Sequence, residues 1–160
     1  MTRAQPYRVC FVCSGNICRS PLAEAIFASL VRAEGLEDGF ELDSAGTGDW
    51  HEGDRADPRA RRVGESRGVP VTSVARAVRD SDFERFDLIL AMDRGHVRNL
   101  LRRSPPAHHA KIRLMRDFDR PGSDPDVPDP YYGGVDGFER VFEVLTVCCR
   151  NLLRSLQAEG

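Results

Sequence analysis

Tyr7-Arg8-Val9-Cys10-Phe11-Val12-Cys13-Ser14-Gly15-Asn16-Ile17-Cys18-Arg19-Ser20-Pro21 decides how the chain is read. Tyr7 to Val12 is apolar and β-rich, as expected of a strand buried on both faces. Ser20-Pro21 predicts a helix start: Ser is a good N-cap, and Pro at the first helical position lacks only an N–H that has no partner there. Leu22, Ala25, Ile26, Ser29 and Leu30 are expected to form that helix's inner stripe. Strand, short connection and helix make the first half of a βαβ unit.

The alternation repeats outward from that stretch. Phe40 to Ser44 is a second short strand, and Asp57-Pro58 is another N-cap and first-turn pair, in a helix stopped by Gly68. Ser81-Asp82-Phe83-Glu84 matches a capping box. Asp87 to Met92 is a third strand, Asp93 to Arg103 a helix halted by Pro105-Pro106, and Ile112 to Met115 a fourth strand. The last helix runs from Phe138 to Leu156, with Phe138, Val141, Phe142, Leu145, Cys149, Leu152 and Leu156 on one face. Residues 116–136, rich in Asp, Pro and Gly, form a loop of about twenty residues, a length that points to function. Strands followed by crossover helices predict an α/β architecture, a small doubly wound fold with a four-stranded parallel sheet flanked by helices on both faces. A chain of 160 residues suits a single domain spanning 1–160. Such sheets bind ligands beyond the carboxyl ends of their strands, which draws attention to the octet Cys13 to Ser20.

A net charge of −2 supplies no bulk field for nucleic acid or an anionic membrane. The N-terminal run Met1 to Pro6 is polar and lacks the apolar stretch of a signal peptide, and no segment approaches spanning length. Five cysteines, an odd number, in such a chain predict reduced thiols and a cytoplasmic location. Cys10 and Cys13 spell C-x-x-C, but Cys10 sits in an apolar run and no second C-x-x-C or His pair completes a tetrahedral site, so no metal and no cofactor are expected. The arginine clusters Arg59-Ala60-Arg61-Arg62 and Arg102-Arg103 read as solvated helix faces.

A Cys and an Arg six positions apart are a weak signal alone. Five Cys and 23 basic residues, of which Lys111 is the only Lys, give roughly 0.7 such pairs by chance. Cys148 and Arg154 have the same spacing but lie in a long amphipathic helix whose N–H groups are spent on helix bonds. Cys13 and Arg19 lie between strand and helix, with Gly15 and Asn16, the residue types that most readily take left-handed conformations. Such a loop turns its N–H groups inward at a helix N-terminus and makes an anion site. Arg19 adds a planar fork for two phosphate oxygens. The same surroundings stabilise a thiolate at Cys13, so nucleophile and dianion clamp coincide. Phosphoryl transfer to sulfur also needs a proton for the leaving oxygen. Asp129, stiffened by Pro130, is the first candidate, and Asp117, Asp119, Asp124 and Asp126 are its rivals in the same loop.

These residues resemble the low-molecular-weight protein tyrosine phosphatases. The octet is similar to that family's phosphate-binding loop with its following Ser, and Asp129-Pro130-Tyr131-Tyr132-Gly133 to its general-acid loop. Ser44-Ala45-Gly46-Thr47, Asp49-Trp50, Gly68-Val69 and Ala91-Met92-Asp93 also match, so the resemblance covers nearly the whole chain. It implies hydrolysis of phosphotyrosine in proteins through a phosphocysteine, with Cys13 as nucleophile, Arg19 holding the phosphoryl oxygens, and Asp129 as acid and then base. Loop residues Ser14, Gly15, Asn16, Ile17 and Cys18 are expected to bind the phosphate, with Ser20 donating to the thiolate and Asn16 bracing the loop. Trp50, Tyr131 and Tyr132 are expected to wall the substrate ring. Implied partners are a tyrosine-phosphorylated protein and inorganic phosphate, with no nucleic acid and no membrane.

One departure concerns the His that braces the loop Asn in many members. Ser73 stands at that place and is too short to reach, and His51, His96, His108 and His109 offer no evident substitute. Among rivals, a thioredoxin-coupled arsenate reductase needs two further cysteines, but residues 19–147 contain none. A bacterial subgroup acting on phosphoarginine carries Thr where this chain has Ile17, and an apolar Ile leaves room for a flat ring. A phosphate-dependent binding module would be expected to lose Cys13, Arg19 or Asp129. Curling the loop brings its ends together, so oxidised Cys13 is expected to condense with Cys18.

Overall fold

The computed structural model of the chain describes residues 4–159; the polar run at residues 1–3 lies outside them. Four strands, β1 (Tyr7–Cys13), β2 (Phe40–Gly46), β3 (Leu88–Ala91) and β4 (Ile112–Leu114), form one sheet in the order β2-β1-β3-β4. All three pairings are parallel, with Val12 opposite Ala45 on one side and Ala91 on the other. The chain passes from β1 to one side and then back across to the other, so the switch point lies at the end of β1.

Five helices cover the sheet: α1 (Arg19–Ala33), α2 (Pro58–Ser66), α3 (Asp82–Arg85), α4 (Arg94–Arg103) and α5 (Val135–Glu159). Val9, Phe11 and Cys13 face a core built with α1, α2 and α5, while Cys10 and Val12 face one built with α3 and α4. The predicted α/β layering with helices on both faces is therefore observed. The period-2 alternation of a strand also disposes of the C-x-x-C reading, because it sends Cys10 and Cys13 to opposite faces of the sheet.

Several local expectations are corrected. The helix after the octet starts at Arg19, with Cys18 at its N-cap and no capping side chain. Ser20 is no cap, because its hydroxyl is engaged inside the loop. The inner stripe of α1 has Leu22 and Ile26 buried as expected, joined by Ala23, Phe27 and Val31, with Ala25 and Leu30 partly buried against the same core, whereas Ser29 lines a groove with Glu24 and Ser73. Ser81 caps nothing. The carboxylate of its neighbour Asp82 instead accepts the Arg79 N–H (2.8 Å) and pairs with Arg76 (2.9 Å). Asp57 does cap α2, accepting the Arg59 N–H at 2.8 Å, and Gly68 follows that helix at φ 73°. Between β4 and α5 the expected long loop contains one 3-10 turn, Met115–Phe118. No helix among the described residues is long and apolar enough to cross a membrane.

Candidate active site

β1 delivers Cys13 at the carboxyl edge of the sheet, beside Gly46 of β2. The two chains stay together past the strands: Thr47 N–H donates to Cys13 O (2.9 Å) and Gly48 N–H to Ser14 O (3.1 Å). A side chain at Gly46 would meet Ser14 O at 2.7 Å, so this approach requires glycine there. Asn16 takes the left-handed conformation, at φ 58°. Gly15, also expected there, does not. Its lack of a side chain matters for another reason, since a Cβ would lie 2.8 Å from the His51 ring.

Asn16 is the hub beneath the loop, almost wholly buried. The Arg76 N–H donates to its Oδ1 (3.1 Å), which fixes the amide orientation, because a backbone N–H can only donate. Nδ2 must then donate to Ser20 Oγ (2.7 Å) and Ser44 Oγ (3.0 Å). Each serine is left with its own proton to give. Ser44 donates to Glu24 Oε1 at 2.6 Å, and Ser20 Oγ stands 3.0 Å from Cys13 Sγ, within reach to give its proton to a thiolate there. Burial raises the Glu24 carboxyl above its ordinary range, against the Ser44 bond. Ser73 takes no part in holding Asn16. Ser44 and the Arg76 backbone do the bracing, and ion pairs from Arg76 to Asp43 (3.0 Å) and Asp82 (2.9 Å) hold the segment carrying that N–H.

Arg19 is buried, with 3% of its surface exposed. One guanidinium nitrogen donates to Asp93 Oδ2 (3.0 Å) and Val127 O (2.9 Å); the other lies 3.7 Å from Asp129 Oδ2. Asp129 Oδ1 accepts the Tyr131 N–H at 3.0 Å. Its rivals are engaged elsewhere: Asp126 pairs with Arg94 (3.1 Å), Asp119 with Arg116 (3.0 Å) and Asp117 with Arg113 (3.7 Å), while Asp124 accepts the Asp126 N–H (2.8 Å).

A cavity of about 230 Å³ opens over Cys13, lined also by Ser14, Gly15, Ile17, Cys18, Arg19, Trp50, His51, Asp129, Tyr131 and Tyr132. Ten of the twelve expected site residues meet there. Asn16 and Ser20 lie beneath its floor. The cavity is polar at the base and aromatic at the rim, where Trp50 and Tyr132 are largely exposed. Cys18 shares the loop with Cys13, but burial, with Asp57 adding to it, raises its thiol far above the ordinary range and keeps it protonated.

Three contributors escaped the sequence. His51 lines the cavity and contacts Asp54 at 3.3 Å. Arg59 is not a solvated face: it grips Asp57 (3.0 Å), donates to Tyr131 O and Gly133 O (both 3.0 Å), and lies 5.6 Å from the Tyr131 ring centre. Asp57-Pro58-Arg59 carried the signal, an acidic cap two residues from a cation. His96 lies 2.8 Å from Ser14 Oγ; burial pushes its imidazole down to about 4, against the pull of Asp93.

A family model described as Low molecular weight phosphotyrosine protein phosphatase matches residues 8–160. A low molecular weight protein-tyrosine-phosphatase of Streptomyces coelicolor is 50% identical over 159 residues, covering 96% of this chain and 97% of that protein. The crystal structure of a protein tyrosine phosphatase from Entamoeba histolytica, with Hepes in its active site, superposes with a TM-score of 0.93 at 46% identity, covering 96% of this chain and 98% of that one. A more distant structure, the arginine phosphatase YwlE as a Cys-to-Ser mutant with a phosphorylated active-site serine, has a TM-score of 0.85 at 29% identity, covering 94% and 95%.

Proposed function

This chain belongs to the low molecular weight phosphotyrosine protein phosphatases, and from that premise we propose that it hydrolyses phosphotyrosine in proteins through a phosphocysteine on Cys13. The Cys13 thiolate attacks phosphorus in line with the ester oxygen. The S–P bond forms as the P–O bond breaks, and Asp129 gives its proton to the departing phenolate. Water then attacks the phosphocysteine with Asp129 as base, releasing inorganic phosphate and restoring the thiolate. Inward N–H groups of residues 14–18 and the free edge of the Arg19 guanidinium take the charge on the phosphoryl oxygens. The observation that carries this reading is Cys13 at the base of a cavity that Arg19 and Asp129 share, with the Ser20 hydroxyl, itself bonded to the Asn16 amide, 3.0 Å from the Cys13 sulfur.

Ile17 with Trp50, Tyr131 and Tyr132 gives the cavity apolar walls, which favours an aryl phosphate over phosphoarginine. The whole chain acts as one phosphatase domain in the cytoplasm, a reading supported by five free cysteines. Cys13→Ser tests the chemistry. It should lose p-nitrophenyl phosphate turnover by at least about 10⁴-fold while still binding inorganic phosphate, whose N–H cradle and Arg19 do not depend on sulfur. Near-parental turnover would refute the nucleophile. A phosphotyrosine peptide should be cleaved in preference to its phosphoarginine counterpart.

A further inference from the structure

His96 is the third residue of α4 and is 5% exposed, yet both of its ring nitrogens are in use. The Asp93 N–H points at Nδ1 from 3.2 Å. A backbone N–H can only donate, so Nδ1 carries a lone pair and the single proton of the neutral ring sits on Nε2. Asp93 Oδ1, also 3.2 Å from Nδ1, already accepts the His96 N–H at 3.0 Å. Nε2–H therefore donates to Ser14 Oγ, 2.8 Å away. With its oxygen accepting from His96, the half-buried Ser14 keeps its own proton to give, and Ser14 lines the cavity over Cys13. Asp93, the other half of the same cap, holds Arg19 at 3.0 Å. The start and the end of the anion cradle are thus tied to one corner of the fold, more than 70 residues further along the chain.

We infer that His96 is a positioning residue of the phosphate cradle: its Nε2–H fixes Ser14 so that the Ser14 hydroxyl donates to the bound phosphoryl oxygens, while its partner Asp93 aims Arg19 at the same anion. The inference rests on the reading of residues 13–20 as the phosphate site. It adds a side-chain donor to the backbone N–H groups and makes neutral histidine, rather than imidazolium, the required form. The histidine never touches substrate.

The full-length protein serves for the test, with inorganic phosphate as competitive inhibitor and p-nitrophenyl phosphate as substrate. Ser14→Ala should raise the phosphate inhibition constant about tenfold, the effect of one hydrogen bond to a charged group. His96→Ala should match or exceed that. His96→Gln carries an acceptor and a donor on one carbon, as the ring carries them on one edge, and should stay within about twofold of the parent. The ¹⁵N shifts of His96 in the parent should report the Nε2–H tautomer. An Nδ1–H tautomer, parental phosphate inhibition in Ser14→Ala, or His96→Gln as impaired as His96→Ala at parental melting temperature would each overturn the inference. The tautomer and Ser14→Ala results decide it even where His96→Ala fails to fold. A parent that turns over normally while Ser14→Ala matches it sinks this inference alone; a parent without turnover overturns the functional reading as well.

Discussion

The loop carrying Cys13 and the loop carrying Asp129 face each other across one cavity, yet they are held by different means. The first is held from beneath by direct bonds from neutral groups, the Asn16 amide, the Ser20 and Ser44 hydroxyls, the Arg76 N–H and the His96 ring, with the largely buried ion pairs Arg76–Asp82 and Arg19–Asp93 behind them. The second is fixed from outside by cations, with Arg94 on Asp126, Arg116 on Asp126 O (2.9 Å), and Arg59 on Tyr131 O and Gly133 O. Buried neutral hydrogen bonds are insensitive to salt and costly to break one partner at a time. Exposed ion pairs such as Arg94–Asp126 are individually weak and screened. The proposed nucleophile thus rests on a buried floor and the proposed acid under a more exposed ceiling.

Removing the acid should produce the largest contrast. Asp129→Asn is expected to slow hydrolysis of esters with poor leaving groups by about 10²–10⁴-fold, and of p-nitrophenyl phosphate much less. Rates across leaving groups of graded pKa measure this, and a slope unchanged from the parent would move the role to another carboxylate. Asn16→Ala attacks the floor. It strands Ser20, Ser44 and the Arg76 N–H and puts alanine at φ 58°, so kcat should fall tens-fold, roughly the value of one charge-assisted bond, and the melting temperature should drop with it. Arg59→Ala attacks the ceiling. It should cost about tenfold in kcat/KM for poor leaving groups through misplacement of the Asp129 loop, with little change in melting temperature. Equal thermal losses in Asn16→Ala and Arg59→Ala would erase the distinction between the two loops.

The last contrast is one of pH, and it bears on stability rather than on rate. An imidazole at about 4 in the folded protein, against about 6.5 unfolded, takes up a proton on unfolding anywhere between those values. Stability is therefore lost as pH falls through that window, by on the order of 3 kcal/mol at most. His96→Gln has no such proton to gain. Denaturant melts at pH 7 and pH 4.5 should show the variant losing less stability than the parent over this interval, and parallel losses would contradict the shift.

The sheet and the nucleophile loop could be read in the sequence because both depend on local pattern: an apolar run, Gly and Asn, then a helix start. What escaped depends on pairing across the chain. Arg59 looked like any helix arginine because its acceptors are carbonyls of residues 131 and 133, which no residue type announces. His96 carries no local signal, because its partner is the Ser14 hydroxyl 82 residues earlier in the chain and not the Asn16 amide. Ser20 and Ser81 satisfied capping rules on paper, but Ser20 is claimed by sulfur, and the neighbour of Ser81, Asp82, by Arg76 and the Arg79 N–H. Local rules name which groups can bond; the assembled fold decides with what.

The floor beneath Cys13 has a consequence for how the protein comes to life. Its ties run to partners far along the chain: 60 residues to Arg76, 82 to His96 and, through Arg19, 108 to Val127. Parallel pairing and contacts of such separation form late, after most of the loop-closure entropy has been overcome. A nascent or partly refolded chain can therefore hold the whole octet and still lack a working cradle. Regained turnover after dilution from denaturant should follow the slowest folding phase rather than the first appearance of helix.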